Sequence, residues 1–487
     1  MKSLRIFFAI LLLVASVLAQ TPTQQTPPAQ PQQGTSPAPQ KTQAPQQAPS
    51  VQQPQPGQQP PQELEHHITP TEAQELFKAV DEIMAFDSKV TGLPIKHPVK
   101  RKLTSRVEVQ KYFVDSFKDD ESAKRMTQAE VVLKKFGLIP RDSSLEGTLL
   151  ALYTEAVAGY YDPKTKTVYL LDWVDPDGQK PVLAHELTHA LQDQNFDLNK
   201  FMKHGKQKKT GKYDVSTSEA MSARVALMEG QAAAVMVDYL LAPQGQSVQT
   251  NPEIARAVQA GMLSDEGAPI MRKAPLYLRE DLKFPYTFGL NFVLDLLKIS
   301  KEKAFAEAFE NPPLDTRQIM EPQTYLEHQV VAPIPMPDFD KVLGKEWKRF
   351  DVDSVGEFDI SVLAREYGAA IPDAQRLARE WRHQYYFAAA KKDVKPAKPG
   401  DVSLIYVSRW SMPAAAEAFA KLDGESLKKR YHSAQPVVGG PGHWTTEEGD
   451  VFIQQQGDLV LVTEGFDVTT SGKLRNAALS AVAQDQH

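Results

Sequence analysis

The sequence contains no cysteine. That absence excludes a thiol nucleophile, a disulfide framework, cysteine-ligated metals and a lipid carried on an N-terminal cysteine. Excess charge of one sign is also scarce. There are 55 basic and 61 acidic residues, a net charge of −6 over 487 residues. Nucleic acid is therefore not an expected partner. No Gly-x-Ser-x-Gly run occurs, so a serine hydrolase of that type has no support. Gly439-Gly440-Pro441-Gly442 lacks a following Lys-Ser/Thr and reads as a turn, not a phosphate loop.

At the N-terminus Lys2 and Arg5 precede an uncharged run from Ile6 to Leu18, with small residues at Val17 and Ala19. This describes a secretory signal peptide over 1–19, cleaved after Ala19. No later segment reads as a membrane span, so the mature chain is expected to be secreted and soluble, in the periplasm or the medium. From Gln20 to Gln62 nearly every residue is Gln, Pro, Ala, Thr or Ser, and Lys41 is the only charge. Such a stretch buries too little apolar surface to offset its ordering entropy, and 20–62 is read as a disordered spacer.

Folded structure is expected from 63 onwards. Thr69-Pro70-Thr71-Glu72 is a capping box with proline in the first turn, followed by Leu76, Phe77, Val80, Ile83 and Met84 at helical spacing. Helical patterns continue over about 105–118, 122–136 and 144–158. The period then changes, and Tyr160 to Leu171 reads as a β-hairpin around Asp162-Pro163-Lys164-Thr165. A helix from about Pro181, a basic loop over 199–213, a strong helix over 216–241 and further helices over 252–330 follow. The extended Pro333-Ile334-Pro335-Met336-Pro337 marks a boundary between regions 63–337 and 338–487. The second region carries helical patterns near 354–367, 373–380 and 412–422, and strand-like runs at 382–390, 402–409, 449–456 and 458–464.

The chemistry concentrates in His185-Glu186-Leu187-Thr188-His189. On a helix the two histidines share one face and can hold a single zinc ion. Glu186 lies beside that position, placed to take a proton from the attacking water and pass it to the leaving amine. Two histidines need a third protein ligand. Asn195 and Gln192 occupy the positions where one familiar solution has a ligand and a glycine, so that solution fails. Glu229, set among Gly230, Ala232 and Ala233 on an apolar helix, is the leading candidate. Its small neighbours would let another helix approach closely. Glu219 is the rival ligand, and Asp193 is a candidate outer partner of the site.

His185-Glu186-xx-His189, followed by Ala226-Leu227-Met228-Glu229-Gly230-Gln231-Ala232, resembles the zincin metallopeptidases of the glutamate-ligand type, the gluzincins. It resembles still more the predicted secreted bacterial metallopeptidases whose zinc helix reads His-Glu-Leu-Thr-His-Ala-Leu-Gln-Asp-Gln. The resemblance implies His185, His189 and Glu229 on one Zn2+ per chain, with Glu186 as general base. It also implies a strand pairing with the substrate backbone, a part for which Thr167 to Leu171 is the available run. The Gly-x-Met-Glu-Asn run of one aminopeptidase branch is missing, which favours an endopeptidase. The expected fold is α+β: a mainly helical zincin-like domain with a small β-sheet edge, then a smaller C-terminal α+β domain.

Tyr286, in Phe284-Pro285-Tyr286-Thr287-Phe288-Gly289, is the candidate donor to a developing oxyanion; Tyr325, His328 and Arg317 are weaker ones. Lys200, Lys203, Lys206, Lys208, Lys209 and Lys212 form a basic loop between the two ligand helices, which would favour acidic substrates if it overhangs the cleft. The expected function is zinc-dependent hydrolysis of a peptide or protein substrate. The alternative is a catalytically silent zinc-containing envelope protein acting as a binding or structural module. Nothing in the sequence fixes the oligomeric state.

Overall fold

The computed structural model describes residues 67–117, 120–203, 217–264 and 268–485. The expected signal peptide at 1–19, the expected spacer at 20–62, and Lys206, Lys208, Lys209 and Lys212 of the basic loop lie outside the described residues. The fold is α+β with mainly helical content.

Helix α1 (Pro70–Thr91) starts on the expected capping box, in which Glu72 N donates to Thr69 Oγ1 and Thr69 N to Glu72 Oε2. Strand β1 (Lys100–Thr104), α2 (Arg106–Phe117), α3 (Asp120–Lys135) and α4 (Leu145–Ala156) follow. The hairpin is β2 (Tyr160–Asp162) and β3 (Thr167–Leu171). Helix α5 (Pro176–Phe196) carries the two histidines and begins earlier than Pro181, because Asp175 caps it by accepting from Asp177 N and Gly178 N. Pro181 is accommodated inside the helix.

A short α6 (Leu198–Lys203) leads toward α7 (Thr217–Leu241). Past the expected signal, α7 does reach the length and apolarity of a membrane span. Its apolar window is 83% buried inside the fold, which makes it the central core helix. Next come α8 (Pro252–Met262), α9 (Pro269–Lys273), α10 (Leu276–Phe284), a π-helical turn at Pro285–Gly289, α11 (Leu290–Ser300), α12 (Lys303–Glu310), α13 (Thr316–Met320) and α14 (Pro322–Leu326).

Three strands form the small sheet in the order β1-β3-β2, β1 parallel and β2 antiparallel to β3. This corrects the expectation for Thr167–Leu171: β3 has both neighbours and is the central strand. The edge facing α5 is β2.

The C-terminal part holds α15 (Phe339–Leu343), β4 (Trp347–Ser354), α16 (Glu357–Glu366), α17 (Ile371–Arg379), β5 (Trp381–Lys391), β6 (Ser403–Trp410), α18 (Pro413–Arg430), β7 (Ala434–Pro436), β8 (His443–Thr446), β9 (Gly449–Gln456), β10 (Leu459–Glu464) and α19 (Val468–Asp485). Its strands make one antiparallel sheet in the order β4-β5-β6-β10-β9-β8-β7. Helix α18 runs on through Asp423-Gly424, where the sequence pattern suggested a stop. Asp423 is buried there, accepting from Tyr406 OH at 2.6 Å, and Gly424 lies against Ile453 and Trp444.

The apolar core does not divide at Pro333–Pro337. One cluster runs from Val109 and Phe136 through α7 to Tyr386, Tyr406 and Val460. A buried polar network also spans the two regions. Arg430 Nη1 donates to Glu464 Oε1 at 2.8 Å and to the carbonyl of Lys135 at 3.1 Å. Tyr431 OH donates to Glu464 Oε2 at 2.6 Å, and Lys135 Nζ reaches Glu448 at 3.1 Å.

Candidate metal centre

Helices α5 and α7 pack side by side in the core and bring His185, His189 and Glu229 together; all three are buried. His185 Nε2 and His189 Nε2 lie 3.0 Å apart. Glu229 Oε2 is 3.0 Å from the first and 3.5 Å from the second. Bonds of about 2.0–2.1 Å in a tetrahedron set ligand atoms about 3.3 Å apart, so these separations suit one ion of zinc's size. Among the described residues this is the one group able to hold a metal ion. The geometry does not identify the ion.

Glu229 owes its place to glycine. A Cβ on Gly230 would fall 2.4 Å from the carbonyl carbon of Gly289, and one on Gly289 would fall 2.2 Å from the carbonyl oxygen of Ala226. Helix α7 and the π turn therefore cross with backbone against backbone. The crossing brings Tyr286 to the site, where its hydroxyl donates to Glu229 Oε2 at 3.0 Å. A π turn of this kind re-aims side chains locally and is frequent at functional sites.

Glu186 is buried one residue beyond His185. Its Oε2 accepts from the backbone N–H of Tyr161 on β2 at 2.7 Å, and its Oε1 has no hydrogen-bond partner in the chain. Burial pushes its pKa up to about 7, against the opposing pull of His189 and the Tyr161 N–H. Burial also pushes His185 down to about 4. For His189 burial is the largest single effect and acts downward, but the Glu229 carboxylate together with Glu186 and the Gln192 bond raises the imidazole to about 9. Burial would raise Glu229 in turn, yet His189 and His185 hold it well below the usual carboxylate range. The histidines and the carboxylate thus each favour the other's charged form, an interaction a divalent ion can take over.

The other sequence candidates lie elsewhere. Glu219 is not a ligand: Oε2 accepts from Thr316 N at 3.1 Å and Thr316 Oγ1 at 2.7 Å, with the carboxylate packed on Gly356. Asp193 braces the hairpin, accepting from Tyr161 OH at 2.7 Å and Lys166 Nζ at 2.5 Å, and does not hold a histidine. Tyr325 OH donates to the carbonyl of Asn311, and Arg317 pairs with Glu321. His328 sits in a turn with φ 52°.

The sequence reading missed Gln192 and the Tyr161 N–H. Gln192 Oε1 lies 2.9 Å from His189 Nδ1. Its position three residues after His189, on the same helical face, was the available signal. Comparison of the chain with protein-family models, with curated proteins and with solved structures returned no match.

Proposed function

We propose that the chain is a secreted zinc-dependent metallopeptidase of the gluzincin kind, acting as an endopeptidase on peptide or protein substrates. The observation that carries this reading is the position of Glu186. A metal held for structure alone needs no carboxylate beside it, yet this one is buried, tethered through Oε2, and left with an unpaired Oε1. A Zn2+ ion held by His185, His189 and Glu229 would supply Lewis-acid polarisation of a scissile carbonyl and of water. Glu186 Oε1 receives the proton of the attacking water and passes it to the leaving amine, while the Tyr161 N–H keeps the carboxylate aimed. Tyr286, held at Glu229, is the candidate donor to the oxyanion. The outer edge of β2 offers backbone groups to an extended peptide. Because His185, Glu186 and Glu229 are covered, a peptide reaches them only when a covering element moves.

A site so covered suits a second reading, the silent zinc-containing envelope module, although structural zinc is usually held by four protein ligands and three are brought together here. Zinc content and cleavage of an unfolded protein, measured on the chain from residue 20 and on Glu186→Gln, separate the two. The peptidase reading expects one zinc in both proteins and a loss of cleavage by roughly 100- to 10,000-fold in the variant. A parent that holds zinc and cleaves nothing favours the silent module.

A further inference from the structure

One buried hydrogen-bond chain has its direction fixed by groups that can only accept. The carbonyl of Phe305 on α12 receives Gln231 Nε2 at 3.1 Å, so the amide oxygen of Gln231 points the other way. That oxygen receives Gln192 Nε2 at 3.1 Å, and the same nitrogen donates to the carbonyl of Met228 at 3.1 Å. Two acceptors thus pin the nitrogen of Gln192, and its Oε1 is left facing His189 Nδ1 at 2.9 Å. An amide oxygen cannot donate, so His189 carries a proton on Nδ1. Its Nε2 then presents a lone pair toward His185 and Glu229 when the ring is neutral. Gln192, Gln231 and His189 are all buried, so the protein itself sets this direction.

His185 differs. Its Nδ1 is buried without a hydrogen-bond partner. The chain therefore orients one ligand imidazole through a side-chain network and leaves the other to helix packing.

We propose that Gln192 is a positioning residue for the metal: it fixes the tautomer and ring plane of His189, and Gln231 in turn fixes Gln192. This rests on the metal reading above and adds to it the residue that prepares one ligand. Such outer partners commonly change metal affinity by roughly 10- to 100-fold. A merely structural glutamine, tying α5 to α7 and α12, would alter stability and leave affinity alone.

The test uses the full mature chain with zinc as probe, and measures affinity by chelator competition. Gln192→Met keeps the length of the side chain and removes the acceptor. Gln192→Glu keeps an acceptor for Nδ1–H but cannot donate to Met228 or Gln231. The proposal expects roughly 10- to 100-fold weaker zinc binding in Gln192→Met and recovery to within a few-fold in Gln192→Glu. It also expects a slowly exchanging Nδ1–H on His189 in long-range 1H–15N NMR spectra of the zinc-loaded parent. A folded Gln192→Met with parental affinity overturns it, and so does a parent whose His189 meets zinc through Nδ1, even if the methionine variant fails to fold. A parent that takes up no zinc brings down the metal reading itself, an outcome distinct from either.

Discussion

Replacing Gly230 with alanine sets two known effects against each other in one helix. Alanine is better than glycine in a helix interior by about 1 kcal/mol. The added methyl, however, would lie 2.4 Å from both the carbonyl carbon and the oxygen of Gly289 and 2.8 Å from Leu290 N. Ordinary carbon contacts need about 3.5 Å, so the π turn would have to retreat by about 1 Å. All three atoms are backbone and cannot rotate away. Overpacking of this kind costs about 1–3 kcal/mol. The same retreat would stretch the 3.0 Å bond between Tyr286 and Glu229 beyond hydrogen-bonding range, a further loss of about 1 kcal/mol. The balance is a net destabilisation of about 1–3 kcal/mol, with weaker zinc binding as the π turn moves off Glu229. Urea denaturation of the metal-free chain and chelator competition measure the two effects. Gly472 provides the control, because it lies in α19 with nothing within 4 Å of an added Cβ. Gly472→Ala should raise stability by up to about 1 kcal/mol. If Gly230→Ala is as stable as Gly472→Ala and binds zinc as the parent does, the close crossing does not place Glu229.

Asp87 is fully buried on α1 with neither carboxylate oxygen hydrogen-bonded, and burial raises its pKa well above 3.8. The folded state therefore keeps a proton that the unfolded chain gives up, and stability falls as pH rises past the unfolded value. Asp87→Asn should be more stable than the parent, by a margin that grows from pH 4 to pH 7; an equal margin at both would contradict this. His383 behaves in the opposite sense. It is buried on β5 with Nδ1 accepting from Ile334 N, and burial with the nearby Arg409 lowers its pKa to about 4 from 6.5. The unfolded chain protonates first, so stability present above about pH 6.5 is lost toward pH 4, by about 3 kcal/mol. His383→Asn retains an acceptor and should flatten urea midpoints across that window, whereas an unchanged slope would show that His383 does not carry it.

Helix α5 and its partner α7 were legible because their signals are local. Four-residue spacing put His185 and His189 on one face, and the small residues around Glu229 announced a close crossing. What the spacing could not say is which backbone approaches Gly230; that is Gly289, 59 residues further on. Gln192 was weighed only as a position where glycine was missing, because the carbonyls that orient it belong to Met228 and, through Gln231, to Phe305. Strand β1 reads Lys-Arg-Lys-Leu-Thr, without the apolar alternation that marks a half-buried strand, and in β4, Trp-Lys-Arg-Phe-Asp-Val-Asp-Ser, that alternation covers only Phe350 to Asp353. Pairing with β3 and β5 makes them strands, and pairing is a tertiary fact. For the same reason β3 passed for an edge until β1 was seen beside it.

The network around Arg430 has a consequence for how the chain is made. Lys135 and Arg430 are buried in contact with Glu464, which comes 23 residues before the end of the sequence. A nascent or truncated chain lacking β10 would have to bury those two cations without that carboxylate, an arrangement that costs about 3–5 kcal/mol when one partner of a buried pair is removed. The core shared by α3, α7 and the C-terminal sheet would then close only once β10 has emerged. Synthesis through β10 becomes a condition for a settled fold, and copies terminated before it would remain open to degradation.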